Sequence, residues 1–368
     1  MSLVRAMEPD DVKVVAALFR NTFLHKRLPA ANDLNAYMRS FYLDGPFREP
    51  DLPSLVHVAD DGRISGFVGV HSVSFLYREK RLRAAFCGAL MSAAPGRDPL
   101  AGARLLKAFL AGPQDISLSE TANPVSQAMW ERLHGAVLHD YSLEWFRILH
   151  PAGFLLATGA LKFPVLGHLK PVAKLADRML ARRREKSDLG GMVAERAAGA
   201  LLTEEVDREE FAAMVRRFGE YFSARPDWSD GYLDHVLESA LDKPDFGQPV
   251  MMAVRTKSGE TIGGFLYHVR LGGIGRVLQV LSAPGRCGII LDRLFADALD
   301  RGAVGLRGRS QPAILEAASG RSIIFATVSA TVVHARDPAF AAPFLSGDCF
   351  LNGLAGESWN RFFGGNFR

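Results

Sequence analysis

Hydrophobic and polar residues follow helical spacing in some segments and strand spacing in others, which predicts the same order of elements twice. The first predicted helix carries apolar residues at helical spacing: Val12, Val15, Ala16, Phe19 and Phe23. The preceding run 8–11 (Glu-Pro-Asp-Asp) is typical of a helix start, because proline and acidic residues favour the first turn. Two long β-rich runs, 64–77 and 82–93, flank a charged turn and predict a hairpin.

The remaining pattern completes two similar halves. The first half reads as strand 4–7, helices from 12 and over 34–41, strands 55–60, 64–77 and 82–93, a helix to 108, strand 115–119, helix 124–133 and strand 141–148. The second half reads as helix 207–222, strands 250–255, 261–269 and 275–283, helix 291–299, strand 304–307, helix 312–318 and β-rich ends over 323–335. Antiparallel strands followed by strands joined through helices predict a mixed sheet with helices on both faces.

Short sequence matches support an internal duplication. Ala94-Pro95-Gly96-Arg97 returns as Ala283-Pro284-Gly285-Arg286, and Gly66-Phe67 returns as Gly264-Phe265. The matches keep one order along the chain, and a long period of this kind indicates two copies of one domain. We therefore predict an α/β (α+β) protein of two tandem domains, 1–150 and 204–368, each a mixed, mostly antiparallel sheet flanked by helices. Residues 151–203 form the linker.

Composition narrows the class of protein. Of the 368 residues, 48% are hydrophobic and 23% charged, which is typical of a globular chain. A net charge of +4 is too small to predict specific nucleic-acid binding. The sequence shows no transmembrane run and no apolar signal core at its start. The three cysteines lie in apolar runs without a CxxC or a clustered His/Cys pattern, so we expect a cytoplasmic protein with buried thiols and no metal.

The predicted linker is basic and partly amphipathic. Its positive residues are Lys170, Lys174, Arg178, Arg182, Arg183, Arg184 and Lys186. One interpretation is a helix packed between the domains with its charges in water. The other is a basic face for an acidic partner, such as an acyl carrier protein, an acidic polymer or an anionic membrane surface.

The loop before the helix that ends at 108 carries candidate chemistry. It reads Arg97-Asp98-Pro99-Leu100-Ala101-Gly102 and continues with Ala103-Arg104. Amides at a helix N-terminus are unpaired and favour an anion, and glycine lets a phosphate approach the backbone. Together with the order of elements, this loop resembles the phosphate loop of the GNAT N-acetyltransferase superfamily, which reads Arg/Gln-x-x-Gly-x-Gly/Ala. Leu100 stands at the first glycine of that pattern.

The resemblance implies an acyl-CoA cosubstrate, acetyl-CoA or another acyl-CoA, and no metal. Its implied binding residues are Leu90, Met91, Arg97, Leu100, Ala101, Gly102, Ala103, Arg104 and Asn123. In the second copy, the corresponding stretch Arg286-Cys287-Gly288-Ile289-Ile290-Leu291 lacks both glycines in register. We therefore expect the second copy to bind no cofactor and to complete the acceptor pocket.

Acid and base candidates depart from the family pattern. The resemblance implies a tyrosine proton donor on the helix after the fifth strand, and Trp130 occupies that position. Tyr141 or His134 is a substitute donor. The fourth strand has no carboxylate to act as base, which leaves His71 and Glu120, or a water relay, as candidates.

The resulting functional prediction is an N-acyltransferase that moves an acyl group, acetyl in the first instance, from acyl-CoA to a primary amine. The amine belongs to a small molecule or to a sugar or amino-acid precursor, and a homodimer is compatible with this activity. One alternative is a FemAB-like aminoacyl or peptidyl transferase, for which the basic linker would contact RNA. The other is a non-catalytic acyl-CoA-binding or scaffold protein.

Overall fold

A computed structural model of the chain describes residues 2–24, 31–93, 98–162, 177, 201–229 and 231–367. The predicted loop residue Arg97 and the basic stretch 170–186, apart from Asp177, lie outside these ranges. The strands are β1 Leu3–Ala6, β2 Leu55–Val58, β3 Ile64–Tyr77, β4 Lys80–Ser92, β5 Ile116–Ala122, β6 Ala136–Val137, β7 Leu143–Ile148, β8 Leu201–Glu205, β9 Ala224–Pro226, β10 Gln248–Thr256, β11 Thr261–Val269, β12 Ile274–Ser282, β13 Gly305–Arg309, β14 Ile323–Thr327 and β15 Ala330–Ala335.

The helices include those that the sequence pattern predicts and three that it does not, at residues 139–142, 232–241 and 338–345. They are α1 Val12–Phe23, α2 Ala31–Tyr42, α3 Ala101–Leu110, α4 Pro124–Arg132, α5 His139–Ser142, α6 Pro151–Lys162, α7 Arg208–Gly219, α8 Tyr232–Leu241, α9 Cys287–Asp300, α10 Pro312–Ala317 and α11 Pro338–Leu345. In the part of the chain that the structure describes, none of these helices combines the length and the apolar character needed to cross a bilayer.

Two mixed sheets form the framework, as the pattern of the two halves predicts. The first has the strand order β1-β2-β3-β4-β5-β15-β6, with β9 paired to β3. The second has the order β14-β7-β13-β12-β11-β10-β8. In each sheet one parallel pair stands among antiparallel ones, namely β4 with β5 and β12 with β13. The two parallel pairs hold corresponding places in the two sheets, as an internal duplication would produce.

The two halves exchange a strand. Strand β7, from the first half, lies between β13 and β14 of the second sheet, where Trp145 pairs with Gly308 and Phe325. Strand β15, from the second half, lies between β5 and β6 of the first sheet, where Val333 pairs with Leu118 and Ala136. Both halves therefore contribute strands to each sheet.

The prediction of a strand over 141–148 as the last strand of the first half is therefore wrong in its bounds and in its sheet. Residues 139–142 form the short helix α5, and the strand begins at Leu143 in the other sheet. The physical reason is burial, because Trp145 is fully buried in the second core, where it packs against Phe295. Local periodicity cannot distinguish between two sheets that offer equivalent edges.

The sequence pattern does not predict several of the observed elements. Strand β8 lies at a sheet edge and ends in two exposed acidic residues, Glu204 and Glu205. Its first three residues, 201–203, fall inside the predicted linker. Helix α11 contains an internal proline, Pro343, which argues against a helix in sequence, although Pro338 at its first position is compatible with a helix start. After α11 the C-terminal tail, residues 346–367, runs back over both halves. Its Phe350, Leu354 and Trp359 are buried in the largest hydrophobic cluster, together with residues of α7 and α8.

Candidate functional site

An open cleft separates strands β4 and β5. Their parallel ladder pairs Ala84 with Ile116 and ends at Phe86 and Leu118, after which the strands diverge. The cleft has a volume of about 350 Å³. Its walls come from α1, α2, β4, β5, the start of α4 and the C-terminal tail: Phe19, Phe23, Leu24, Tyr42, Cys87, Gly88, Ala89, Leu90, Ser119, Thr121, Ala122, Asn123, Ser126, Glu357, Asn360, Phe362 and Phe363. A volume of this size lies within the range of small-molecule binding clefts.

A β-bulge shapes the β4 wall of this cleft. Gly69 pairs with Gly88 and Phe67 with Met91, so two residues of β4 stand opposite Val68. Ala89 takes a positive φ of 51° in the bulge, a conformation that is uncommon outside glycine. A bulge interrupts the ladder and leaves its extra residue unpaired. The bulge therefore turns the backbone around Ala89 away from regular pairing at the place where the cleft opens.

The front of helix α3 carries its own carboxylate. The N-cap residue Leu100 provides no side-chain cap, and its side chain is 56% exposed. Asp98 lies just before the helix, where its Oδ1 accepts from the amide of Leu100 at 3.2 Å. The guanidinium of Arg104 bonds Asp98 at 3.0 Å. The helix tip is thus held in a local ion pair, with the adjoining residues 94–97 outside the described part.

The structure brings only some of the predicted cofactor residues to the cleft. Leu90 and Asn123 line it, and the Asn123 side chain caps α4 by accepting from Ser126 N at 2.9 Å. Met91 is buried beneath it in a core with Phe67. Of the α3 residues, Ala101 is buried, Gly102 and Ala103 are half-buried, and Arg104 is exposed. A Cβ on Gly102 would lie 3.8 Å from the Met129 side chain, an ordinary van der Waals contact.

Two predicted acid–base residues lie away from the cleft walls. His71 packs among aromatic rings, and its Nε2 lies 2.9 Å from the hydroxyl of Tyr232. Burial lowers the pKa of His71 to about 3, with His235 adding to the effect. Tyr141 is buried, and its hydroxyl donates to the carbonyl of Cys349 at 2.8 Å. Both side chains therefore make structural contacts in the core rather than lining the cleft.

The third predicted residue, Glu120, belongs to a buried pair of carboxylates. Glu357, from the C-terminal tail, accepts at Oε2 from the amide of Glu120 at 2.8 Å. Glu120 accepts at Oε2 from the amide of Glu357 at 2.6 Å. Burial raises the pKa of Glu120, and burial together with the Glu120 charge raises the pKa of Glu357 to about 8. A group of this kind can hold a proton at neutral pH and exchange it.

The tail that carries Glu357 is held by buried polar contacts. The Asn352 side chain donates to the carbonyls of Tyr141 and Ser310, at 2.9 and 2.8 Å. Lys243, also buried, donates to the tail carbonyls of Asn360 and Phe363, at 2.5 and 2.8 Å. Burial and the nearby Arg276 lower the pKa of Lys243 to about 7. These bonds fix the segment that forms one wall of the cleft.

The corresponding cleft of the second half is closed. The β12–β13 ladder ends at Val277 and Gly308, but the space beyond it measures about 20 Å³. The tail occupies this place, since Leu354 N donates to the Gln279 side chain at 3.2 Å and Gln311 donates to the carbonyl of Leu351 at 3.1 Å. At the tip of α9, the Arg321 guanidinium bonds the carbonyl of Gly288. A ligand-sized opening therefore exists in the first copy and is filled in the second.

Sequence reasoning missed Glu357 and Lys243. Each stands alone in its local stretch, without a motif or a regular spacing to mark it. The proton donor position of the resembling family is occupied by Trp130, which is fully buried against Phe109. Among the described residues, no cluster of three or more potential metal ligands is present.

Comparison with known proteins identifies the fold. No family model and no curated protein matches the chain. Among solved structures, a GCN5-related N-acetyltransferase from Anabaena variabilis is 10% identical, with a TM-score of 0.57 over 93% of this chain and 74% of that one. A probable N-acyltransferase of unknown function from Enterococcus faecalis is 8% identical, with a TM-score of 0.55 over 91% and 73%. Eis1 from Mycobacterium abscessus is 12% identical, with a TM-score of 0.51 over 93% and 76%.

The chain therefore has the fold of the GCN5-related N-acetyltransferases, as its sequence resemblance predicts. The predicted fold class, mixed sheets flanked by helices, is confirmed with it. At these identities the similarity concerns the fold, and the chemistry has to be argued from the site.

Proposed function

We propose that the chain is an acyltransferase that binds an acyl thioester in the β4–β5 cleft and transfers the acyl group to an amine. The observation that carries this proposal is the opening of the β4–β5 ladder beyond Phe86 and Leu118, next to the bulge at Ala89. Unpaired strand edges can bond an extended chain of amides by strand addition, and the pantetheine arm of a thioester donor is such a chain.

Acyl-CoA is the donor that we propose. The N-terminus of α3 lies after β4 and favours an anionic diphosphate. Asp98 now occupies the Leu100 amide, so diphosphate binding would displace this carboxylate and leave Arg104 free to pair with phosphate. An acyl carrier protein docked on the basic stretch 170–186 is the alternative donor, and its arm would use the same cleft.

Apolar walls favour an acyl group longer than acetyl. The aromatic side chains Phe19, Phe23, Phe362 and Phe363 line the cleft, together with Leu24 and Leu90. Each buried methylene contributes about 0.8 kcal/mol, so a chain of eight carbons would gain several kcal/mol over acetyl where the walls accept it. The acceptor is proposed to be a primary amine that enters beside the tail. The buried free thiols support a reducing, cytoplasmic setting.

Calorimetric titration tests this function. CoA, acetyl-CoA and octanoyl-CoA are titrated into the wild-type chain and into a Thr121→Trp variant, whose indole would fill the cleft from the exposed end of β5. Val125→Trp is the matched control, because Val125 is 71% exposed on the neighbouring helix α4 and lies outside the cleft walls. We expect binding to the wild type and the control and at least a 10-fold loss in Thr121→Trp.

Turnover is then followed as thiol release with a panel of primary amines: spermidine, ethanolamine, glucosamine and octylamine. Heat from none of the three CoA ligands would refute the proposed donor. Binding without amine-dependent thiol release would favour the non-catalytic binding protein, and a salt-sensitive shift of tRNA on a gel would favour the aminoacyl transferase.

A further inference from the structure

The C-terminal tail brings a carboxyl group to the point where β4 and β5 separate. Glu357 Oε1 lies 2.7 Å from where a Cβ on Gly88 of β4 would stand, while its Oε2 bonds the amide of Glu120 on β5. The carboxyl group thus lies between the two diverging strands. Glycine at position 88 leaves the space that this approach requires.

Glu357 differs from the other titratable groups of the cleft. Among the described residues that line it, Tyr42, Cys87 and Glu357 can titrate. Burial raises the pKa of the Tyr42 hydroxyl and of the Cys87 thiol well above their ordinary values, so both stay protonated at neutral pH. Glu357 is the one of these three whose pKa, about 8, lies near the working range of an acid–base group.

The charges around Glu357 favour one bound proton on the Glu120–Glu357 pair. Among the described residues, Glu120 and Glu357 share the site with the guanidinium of Arg309 on β13. Glu144 also acts on Arg309, but it is itself paired with Arg276 and Arg307. Arg309 donates to the carbonyl of Glu120 at 3.1 Å and to Thr331 at 2.9 Å. Buried groups resist a net charge, so one carboxyl of the pair retains its proton while the other balances Arg309.

Glu120 is placed to position Glu357. It accepts from the amide of Glu357, and its Oε1 has no hydrogen-bond partner among the described residues. The tail passes so close that a Cβ on Gly356 would lie 1.7 Å from this oxygen. The two residues therefore lock each other in place across 237 residues of sequence.

We infer that Glu357 is the catalytic acid and base of the proposed acyl transfer and that Glu120 is its positioning residue. This inference rests on the proposed function. The amine nitrogen attacks the thioester carbonyl carbon and forms the C–N bond. The C–S bond then breaks, its electron pair goes to sulfur, and Glu357 donates its proton to the thiolate. The Glu357 carboxylate next takes a proton from the acylated nitrogen, which yields the amide, the free thiol and the starting carboxylic acid.

The inference is tested first without turnover. The full chain, labelled with carbon-13 at glutamate carboxyls, is titrated from pH 5 to 10 by NMR as wild type, Glu357→Gln, Glu120→Gln and the exposed control Glu260→Gln. We expect one carboxyl resonance with a midpoint near pH 8 that is absent in Glu357→Gln, unchanged in Glu260→Gln and shifted by CoA. Glu120→Gln removes a negative neighbour and should move the midpoint to lower pH. A wild type without a carboxyl that titrates above pH 7 would overturn the inference.

Kinetics provide the second test. With the acceptor found in the amine panel, or with slow thioester hydrolysis in its absence, Glu357→Gln should lower kcat at least 100-fold while CoA affinity changes less than 3-fold. The wild-type rate should fall above about pH 8, and Glu120→Gln should move this fall to lower pH, an effect that a purely structural role would not produce. Wild-type kcat in Glu357→Gln would sink the assignment and leave the acyltransferase intact. A wild type that binds no CoA ligand would instead remove the proposed function, whatever the NMR titration shows.

Discussion

Replacing Glu357 by glutamine should change how the stability of the protein depends on pH. Glutamine keeps the side-chain oxygen that accepts from the Glu120 amide but cannot ionise. In the wild type, the pKa of Glu357 is about 8 in the folded state, against about 4.3 for an ordinary glutamate in the unfolded chain. The folded state therefore binds the proton more tightly. Its contribution to stability is complete below pH 4.3 and is lost as the pH rises to about 8.

The size of the effect follows from the shift. Each pH unit between the two pKa values changes the free energy of unfolding by about 1.4 kcal/mol, so the loss between pH 5 and pH 8.5 is at most about 4 kcal/mol. We expect Glu357→Gln and the wild type to be similarly stable at pH 5 and the variant to be more stable at pH 8.5. Using the difference between the two proteins cancels the contributions of shared groups that do not contact Glu357, Lys243 among them.

Urea denaturation at half-unit steps of pH measures this difference, followed by tryptophan fluorescence and circular dichroism. Glu260→Gln, which removes the same charge from an exposed turn between β10 and β11, should track the wild type throughout. A Glu357→Gln curve that stays parallel to the wild-type curve from pH 5 to 8.5 would refute the picture of a buried carboxyl that holds its proton.

Four further outcomes follow from the same structure. Gly356→Ala should lower the free energy of unfolding in urea by about 1 to 3 kcal/mol, because its Cβ would meet Glu120. The cost should be much smaller in a Glu120→Ala background, and equal costs in both backgrounds would contradict the clash. The control Gly219→Ala, whose Cβ would lie 3.8 Å from its neighbours, should be close to neutral. Calorimetry should give one CoA per chain, because the second cleft is filled; a stoichiometry of two would mean that the tail leaves it. Asp98→Asn should raise CoA affinity about 2- to 5-fold at low salt by removing a negative charge from the front of α3, whereas weaker binding would place the diphosphate elsewhere. Lys243→Met should speed hydrogen exchange of the tail amides, because it removes two hydrogen bonds to the tail; unchanged exchange would show that the tail does not depend on Lys243. It should also remove a rise in the free energy of unfolding between pH 7 and 10, since a lysine with a lowered pKa destabilises the fold until it loses its proton.

Local pattern was sufficient for most of the framework. Strand β3 follows from a long β-rich run and α4 from its Asn-Pro start, because these signals depend on neighbouring residues alone. The destination of β7 depends on which of two equivalent sheet edges it joins, and local periodicity contains no information about that choice. The exchange occurs in both halves, as an internal duplication would produce.

The candidate site was harder to predict. Glu120 was selected from its place at the end of β5, but its partner Glu357 comes from a tail whose path depends on buried contacts with both halves. His71 is predicted as a base because a neutral imidazole has a suitable pKa, and Tyr141 as a substitute for the missing tyrosine donor. The structure gives each a buried hydrogen-bond partner instead. Chemical type alone does not separate a residue that faces a cleft from one that fills a core.

Because of the exchanged strands, we expect the two halves to fold as one cooperative unit. Because β5, at the wall of the open cleft, has β15 as its other neighbour, cutting the chain near residue 150 would leave the donor-side sheet without a strand supplied from far downstream. The half with the closed cleft thus stabilises the sheet of the other half, and we expect neither half to fold when it is expressed by itself. Mixing the separately produced fragments should restore the structure only when both are present from the start of refolding.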